Sequence, residues 1–179
     1  QRTAEAWLAN MDANRKEIDV DDALQELRDR LDVSEMITRY AFALDRCEWD
    51  DFDSIFADRV LVELPHVPSG STVSRAEFKQ MAIDTVGGFE ATHHPIANHL
   101  VTISGDTAEC RCYANAWHSI PTERGVTDYC LVRGFYLWGL ERTPDGWRIN
   151  RMNVEFHGPV EGYMGVYQLA AERLKAGRV

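Results

Sequence analysis

Three side chains whose chemistry suits proton transfer lie in two separate segments of the sequence. Tyr40 and Asp45 belong to one predicted helix, and His94 precedes a run of predicted strands. A carboxylate beside an imidazole makes a strong general base, because it fixes the tautomer of the ring and stabilises the imidazolium. A phenol within reach can donate a proton or polarise a leaving oxygen. We therefore predict that Tyr40, Asp45 and His94 are catalytic.

Each of these residues also has an alternative role. Asp45 could cap the next helix, and Tyr40 could serve packing alone. His93 and His94 are adjacent, and in an extended chain they point to opposite faces, so only one of them can face a pocket. His99 could join either histidine in a metal site, but such a site also needs a carboxylate ligand. We expect no metal.

Aromatic residues recur along the predicted strands and suggest a cavity for an aromatic or polycyclic molecule, although a core role fits them equally well. The predicted substrate-binding residues are Tyr113, Trp117, His118, Tyr129, Tyr136 and Arg151. His118 and His157 are candidates for polarising a carbonyl group. Arg151 shares one strand face with Trp147 and Ile149, so it is either a pocket cation or a solvated surface residue.

Composition excludes several classes of partner. The chain has 179 residues, is 45% hydrophobic and 27% charged, and carries a net charge of −10. Without a basic stripe, nucleic acid and an anionic membrane surface are not expected as partners. No apolar run reaches the roughly 20 residues that span a bilayer, and no secretory signal is recognisable at the start, so we expect a cytoplasmic protein. Its four cysteines are then reduced thiols, most of them in the core.

A long amphipathic helix is predicted after Asp21 and Asp22, which can cap its start. We assign the apolar residues that follow at three- and four-residue intervals to one buried stripe: Leu24, Leu27, Leu31, Val33, Ile37, Tyr40, Ala41 and Leu44. A short helix is predicted near Trp49, then a strand from Arg59 to Leu64. Another helix begins at the capping box of Ser74 and Glu77.

Everything from about residue 91 to 156 is predicted to form strands, with a hairpin turn at residues 143–146. Helices followed by four long strands predict an α+β fold, in which a curved antiparallel sheet forms a cone with the helices packed on one face. The pocket would lie between sheet and helices. We predict an N-terminal arm at residues 1–20, a single cone domain at residues 21–157 and a C-terminal helix at residues 158–179.

Four motifs carry a resemblance to a known family across residues 20–157. They are Tyr40-x4-Asp45, Trp49-x2-Phe52-x3-Phe56, His94-x3-Asn98 and the hairpin at residues 145–149. In their order and spacing, these motifs resemble those of the SnoaL-like, scytalone dehydratase-like branch of the nuclear-transport-factor-2-like superfamily. That branch includes bile-acid 7α-dehydratase and hexachlorocyclohexane dehydrochlorinase, and its fold is a cone-shaped α+β barrel.

The resemblance implies chemistry without a metal or organic cofactor. In these relatives an Asp–His pair removes a proton from carbon, and a leaving group departs to give an alkene or enone. The pair falls on Asp45 and His94, the tyrosine on Tyr40, and a pocket arginine on Arg151. The family's asparagine four residues after the base falls on Asn98, which favours His94 over His93. The tail after Gly158 does not match these relatives well.

The resemblance therefore implies a cofactor-independent lyase that acts on a hydrophobic small molecule, with loss of water or a small aldehyde. The same base could serve an isomerase or a polyketide cyclase. A non-catalytic small subunit of a ring-hydroxylating dioxygenase, or a simple binding module, are alternatives from other classes. Because the relatives assemble through their sheets, we expect a homo-oligomer, with a trimer favoured over a dimer.

Overall fold

The computed structural model describes residues 19–64, 70–122 and 126–177. The predicted arm at residues 1–20 therefore lies almost entirely outside the described residues. Within the three described ranges, no helix is long and apolar enough to cross a membrane.

The first helix, α1, spans Val20–Asp45, and its N-cap is Asp19, which accepts hydrogen bonds from the backbone N–H groups of Asp21 and Asp22. Two apolar stripes run along α1. The C-terminal stripe is buried and comprises Val33, Met36, Ile37, Tyr40, Ala43 and Leu44. The N-terminal stripe is exposed and comprises Val20, Leu24, Leu27 and Leu31.

The prediction of one continuous buried stripe was therefore wrong. At about 100° per residue, the mean direction of Leu24, Leu27 and Leu31 differs by roughly 170° from that of the buried residues. Residues on the two stripes are close in sequence spacing but face different sides of the helix.

Three further helices follow within the residues that the structure describes. A 3-10 turn at Trp49–Asp51 leads directly into α2 at Phe52–Ile55. Helix α3 spans Arg75–Val86 and begins with the predicted capping box, in which Ser74 and Glu77 hydrogen-bond each other's backbone N–H groups. Helix α4 spans Val166–Lys175.

In the described parts of the chain, eight strands form one sheet. Their bounds are β1 Phe56–Glu63, β2 Ser71–Ser74, β3 Ala91–His93, β4 Ile96–Ser104, β5 Thr107–Pro121, β6 Thr127–Thr143, β7 Gly146–Phe156 and β8 Glu161–Gly162. The neighbour order is β2-β1-β7-β6-β5-β3, with β4 paired to β5 and β8 paired to β6. The predicted hairpin between β6 and β7 is confirmed, because Thr143 pairs with Gly146.

The α+β class is confirmed, and among the described elements the sheet is curved with four helices on one face. Two details differ from the prediction. Strands β1 and β7 pair in parallel, whereas the other described pairs are antiparallel. As far as the described ranges extend, the sheet also stays open, because β2 and β3 end its strand order without pairing to each other, so it does not close into a barrel.

The core lies between the sheet and the helices. Tyr40 packs its ring against Phe52, Phe56 and Trp138, at centroid distances of 6.2, 5.8 and 5.0 Å. Three of the four thiols, those of Cys110, Cys112 and Cys130, are buried in this core, whereas Cys47 is exposed. The buried stripe of α1 therefore presses on the sheet and brings the last residue of the helix, Asp45, next to β3.

Candidate active site

Asp45 holds His94 at two points. The His94 ring donates from Nδ1 to Oδ1 of Asp45 at 2.6 Å, and the His94 backbone N–H donates to Oδ2 at 2.8 Å. The Thr92 hydroxyl donates to the same Oδ1 at 2.8 Å. Since a carboxylate only accepts hydrogen bonds, Nδ1 carries the ring hydrogen and Nε2 has a free lone pair. These contacts fix both the tautomer and the position of the imidazole.

The pKa of Asp45 reflects this arrangement. Burial is the largest influence and raises the pKa, because it disfavours the charged carboxylate. Hydrogen bonds and charge from His94, together with the Thr92 hydroxyl, act in the opposite direction and leave the pKa below its ordinary value of 3.8. Asp45 is therefore ionised at neutral pH, as an orienting carboxylate must be.

His93 and His94 point to opposite sides of the chain. His93 is exposed, whereas His94 is only 4% exposed and lines a cavity. Strand β3 ends at His93, and Pro95 follows His94, so the pair is held at a break between β3 and β4. Among the described residues, no group hydrogen-bonds Nε2 of His94, and this nitrogen is not sealed in the core. The lone pair of Nε2 is thus available to a molecule in the cavity.

The cavity has a volume of about 510 Å³ and lies between the sheet and helices α1, α3 and α4. Small residues on the sheet leave this space open, notably Ala114, Ala116 and Gly134. Gly134 is required, since a Cβ there would lie 2.1 Å from the carbonyl oxygen of Glu155. Apolar residues make up most of the remaining wall: Leu44, Leu64, Phe78, Met81, Ala82, Val86, Val132, Met152, Val154, Phe156 and Met164. This size and lining suit a small hydrophobic molecule.

Tyr40 reaches the same cavity from the buried face of α1. Burial raises the pKa of its phenol well above the ordinary value, and electrostatic interactions with the neighbouring Tyr136 and Asp45 act in the same direction. Its hydroxyl has no hydrogen-bond partner among the described residues and is not sealed in the core. Tyr40 is therefore a protonated phenol whose hydroxyl can serve a bound molecule.

His118 and Tyr136, two of the predicted substrate-binding residues, also line the cavity. The His118 ring contacts the His94 ring at a centroid distance of 5.0 Å and an interplanar angle of 80°. Burial, the largest cause, and electrostatic interaction with the neighbouring His94, the next largest, together lower the pKa of His118 to about 3. His118 is therefore neutral at physiological pH.

Comparison with known proteins supports one family. A profile of the SnoaL-like domain matches residues 25–153. The chain belongs to the SnoaL-like domain family. The resemblance predicted from the motifs is thereby confirmed. The uncharacterized protein Rv2910c of Mycobacterium tuberculosis is 28% identical over 129 residues, covering 72% of this chain and 86% of the relative.

Solved structures show the same SnoaL-like fold. Protein Kfla4162 from Kribbella flavida is 30% identical, with a TM-score of 0.71 and coverage of 81% of this chain and 98% of that one. A protein assigned as a scytalone dehydratase from Novosphingobium aromaticivorans is 22% identical, with a TM-score of 0.64 and coverage of 80% and 91%. The hexachlorocyclohexane dehydrochlorinase LinA-type3 from Novosphingobium barchaimii is 15% identical, with a TM-score of 0.65 and coverage of 81% and 97%.

Four predicted substrate-binding residues do not line the cavity of this SnoaL-like protein. On β5 the even-numbered residues Ala114, Ala116 and His118 face the cavity, so Tyr113 and Trp117 face the other side. The same alternation turns Tyr129 on β6 away from the cavity, since Val132, Gly134 and Tyr136 face it.

Arg151 also lies outside the cavity, because of the same alternation along its strand. On β7, Met152 and Val154 face the cavity, so Arg151 points to the opposite side, where it pairs with Glu63 at 2.7 Å. The assignment of the relatives' pocket arginine to Arg151 was therefore wrong. His157 is exposed and packs on Phe135, away from the cavity.

The histidines considered for a metal site do not converge. His99 hydrogen-bonds Ser34 through Nδ1 at 2.5 Å, while His94 binds Asp45 and His93 is exposed. In the described ranges, no group of three or more His, Cys, Asp or Glu side chains is arranged to hold a metal ion.

Sequence reasoning missed two polar residues of the site. Thr92 stands two positions before His94, so alternation along β3 could have placed it on the same side. Tyr167 lines the cavity from α4 and contacts His118. It lies outside the matched family region, and the sequence carries no local signal that α4 returns to the cavity.

Proposed function

We propose that this protein is a cofactor-independent lyase that acts on a hydrophobic, aromatic or polycyclic small molecule. The observation that carries the proposal is the Asp45–His94 pair, whose remaining ring nitrogen Nε2 faces an apolar cavity. An imidazole held in one tautomer by a carboxylate is a competent general base. A substrate bound against Nε2 would lose a proton from carbon or from a hydroxyl group.

In the proposed dehydration, His94, Asp45 and Tyr40 have different roles. His94 takes the proton through Nε2, and Asp45 stabilises the imidazolium across the 2.6 Å hydrogen bond. The electrons of the broken C–H bond form the new double bond while the C–O bond breaks. Tyr40 donates its phenolic proton to the departing hydroxyl, which leaves as water. Transfer of the proton from His94 to the Tyr40 phenolate through solvent restores both groups.

Loss of a proton from a hydroxyl group would lead instead to retro-aldol cleavage and release of a small aldehyde. Elimination is favoured here because the names of two structural neighbours describe it, one a dehydratase and the other a dehydrochlorinase. A non-catalytic subunit is disfavoured, since such a protein needs neither an oriented imidazole nor an open cavity beside it.

The test is an ultraviolet scan with chelator-treated protein and a panel of aromatic diols and hydroxy-enones. A lyase should produce new conjugation with at least one compound, and the His94→Ala variant should not. A parallel incubation in D2O separates the other outcomes. Exchange of a carbon-bound hydrogen without loss of water or aldehyde would replace the lyase by an isomerase. Activity that chelation abolishes and one divalent metal restores would contradict the cofactor-independent mechanism.

A further inference from the structure

The C-terminal helix α4 forms part of the cavity wall, although it lies beyond the family match at residues 25–153. Val166 and Ala170 are the buried residues of α4. Gly88 approaches α4 so closely that a Cβ would lie 1.8 Å from the carbonyl oxygen of Ala170. Arg173 donates to the carbonyl oxygen of Gly88 and pairs with Glu90 at 3.0 Å. This docking sets the position of Tyr167 in the cavity.

Tyr167 holds one edge of His118. Its hydroxyl oxygen lies 3.1 Å from Nδ1 of His118, and the two ring centroids are 5.0 Å apart. Phe89 packs on the same imidazole at 4.9 Å. His118 itself is only 2% exposed. The ring therefore has little freedom to rotate, and the phenol is the side chain that hydrogen-bonds its Nδ1.

His94 and His118 thus lie side by side in the cavity, and the Nδ1 atoms of the two rings have different kinds of partner. Nδ1 of His94 faces a carboxylate, which only accepts, so the ring hydrogen of His94 is on Nδ1. Nδ1 of His118 faces a phenol. A phenol is a good donor, and a neutral imidazole nitrogen is a better acceptor than a phenolic oxygen, so this contact favours a ring hydrogen on Nε2 of His118.

We propose that His94 and His118 are held in opposite tautomers, with Tyr167 as the positioning residue that gives His118 an Nε2–H donor. The inference rests on the proposed function in one respect: it assigns the two rings complementary parts in the same site. His94 presents a lone pair that removes a proton, and His118 presents a hydrogen that binds an oxygen of the substrate.

This division of roles narrows the substrate class. A donor next to a base suits a hydrophobic ketone or enone, because a hydrogen bond to the carbonyl oxygen stabilises the negative charge that develops when the neighbouring carbon loses its proton. Asp45 and the backbone of Ala116 act to raise the pKa of His118, but burial and His94 outweigh them and leave the pKa at about 3. His118 is thus neutral and acts as a donor rather than as a second base.

The tautomers can be read without any knowledge of the substrate. Long-range 1H–15N spectra of the full chain, labelled at histidine nitrogen, distinguish a protonated from an unprotonated ring nitrogen. We expect a hydrogen on Nδ1 in His94 and on Nε2 in His118. Tyr167→Phe should change the His118 pattern and leave His94 unchanged, whereas Tyr163→Phe, an exposed tyrosine on the same segment, should change neither. A wild-type His118 with its hydrogen on Nδ1 would overturn the proposal even if the variants did not fold.

Binding of a matched pair of probes tests the donor role. α-Tetralone is a neutral aromatic ketone, and tetralin has the same carbon skeleton without the carbonyl group. The wild type should prefer tetralone, and Tyr167→Phe should reduce the preference about tenfold, the effect of a hydrogen bond worth about 1.4 kcal/mol. Equal binding of both probes to the wild type would refute the donor role.

The two proposals can fail separately. His94→Ala removes the proposed base but keeps the Tyr167–His118 contact, so it should keep the preference for tetralone. If no compound is ever turned over and the preference and tautomers are as expected, the lyase proposal fails and the positioning role stands. If turnover depends on His94 but Tyr167→Phe changes neither tautomer nor preference, the positioning role fails and the lyase stands.

Discussion

Asp45 restrains both the backbone and the ring of His94, so the imidazole has little freedom to leave its position. The backbone N–H and the ring Nδ1 bind different oxygens of the same carboxylate. An amide at this position would offer one oxygen and one NH2 group, and could hold the ring in the wrong tautomer. The position and the tautomer of the His94 ring therefore depend on a carboxylate at position 45.

Tyr40→Phe should lower turnover by about tenfold and change KM little, because the variant keeps the packing ring and loses only the assisting proton. This loss should be smaller than that of His94→Ala, which removes a general base worth at least ~10²-fold. Steady-state kinetics on a substrate found in the panel gives both numbers.

Tyr113→Phe is the matched control for Tyr40→Phe. Tyr113 is 54% exposed and faces away from the cavity, so activity should stay at the wild-type level. A loss at Tyr113 equal to that at Tyr40 would contradict the assignment of strand faces and the role of the phenol together.

At the scale of elements, Asp29 joins helix α1 to the β6–β7 hairpin. It accepts two hydrogen bonds from Arg142 at 2.8 Å each and one from Trp147 at 3.1 Å. Hydrogen bonding to Arg142 is the main reason that the pKa of Asp29 falls from 3.8 to about 2, against the opposing effect of burial. The ion pair thus fixes the end of α1 that is remote from Asp45.

Asp29→Asn should lower the free energy of unfolding by about 2 kcal/mol at pH 7, since one pKa unit corresponds to about 1.36 kcal/mol. The folded-state pKa lies below the unfolded value, so this stabilisation is complete above about pH 4 and is lost as the pH falls towards 2. Urea unfolding at several pH values measures the difference between variant and wild type.

Asp106→Asn is the control, because Asp106 also pairs with Arg142 but its side chain is 84% exposed. Its effect should stay within about 0.5 kcal/mol. A difference between Asp29→Asn and wild type that does not change with pH would contradict the role of the Asp29 carboxylate.

The elements themselves were largely predictable, because their signals are local. The capping box at Ser74 and the turn at residues 143–146 each specify backbone geometry within four residues. The side of an element that is buried was less predictable. On α1 both faces carry apolar residues, and on β5 both faces do, so periodicity alone cannot choose between them.

The candidate site shows the same limit. The pairing of Asp45 with His94 was predictable, because a carboxylate and an imidazole act together in proton transfer and the relatives carry them at a similar spacing. The residues of the cavity wall were not predictable. Large aromatic residues such as Tyr113 and Trp117 suggested the wall, whereas the cavity is open where the side chains are small. Tyr167 was unpredictable because its contact with His118 joins positions 49 residues apart through an unmatched tail.

At the scale of the whole molecule, the outer face of the sheet carries the aromatic residues that the cavity does not use. Tyr113 and Tyr129 are 54% and 41% exposed, and Tyr113 packs on Phe135 at 5.2 Å. Exposed aromatic side chains grouped on one face are typical of protein interfaces. This surface is where we expect copies of the chain to associate.

Sedimentation velocity at micromolar concentration should give the mass of a homo-oligomer. A trimer of the 20.4 kDa chain would have a mass of about 61 kDa. Tyr113→Glu should reduce the mass towards that of one chain, because it places a charge in the proposed interface. Leu27→Glu, on the exposed stripe of α1, should leave it unchanged. A wild-type mass near 20 kDa would contradict the expected assembly.

The most direct test of the central claim is the comparison of the two neighbouring histidines. His94→Ala should reduce turnover by more than ~10²-fold, while His93→Ala, whose side chain is exposed, should keep most of the activity. Asp45→Asn should be severe, and its loss should not add to that of His94→Ala, because the two residues act as one unit. An inactive His93 variant beside an active His94 variant would contradict the account.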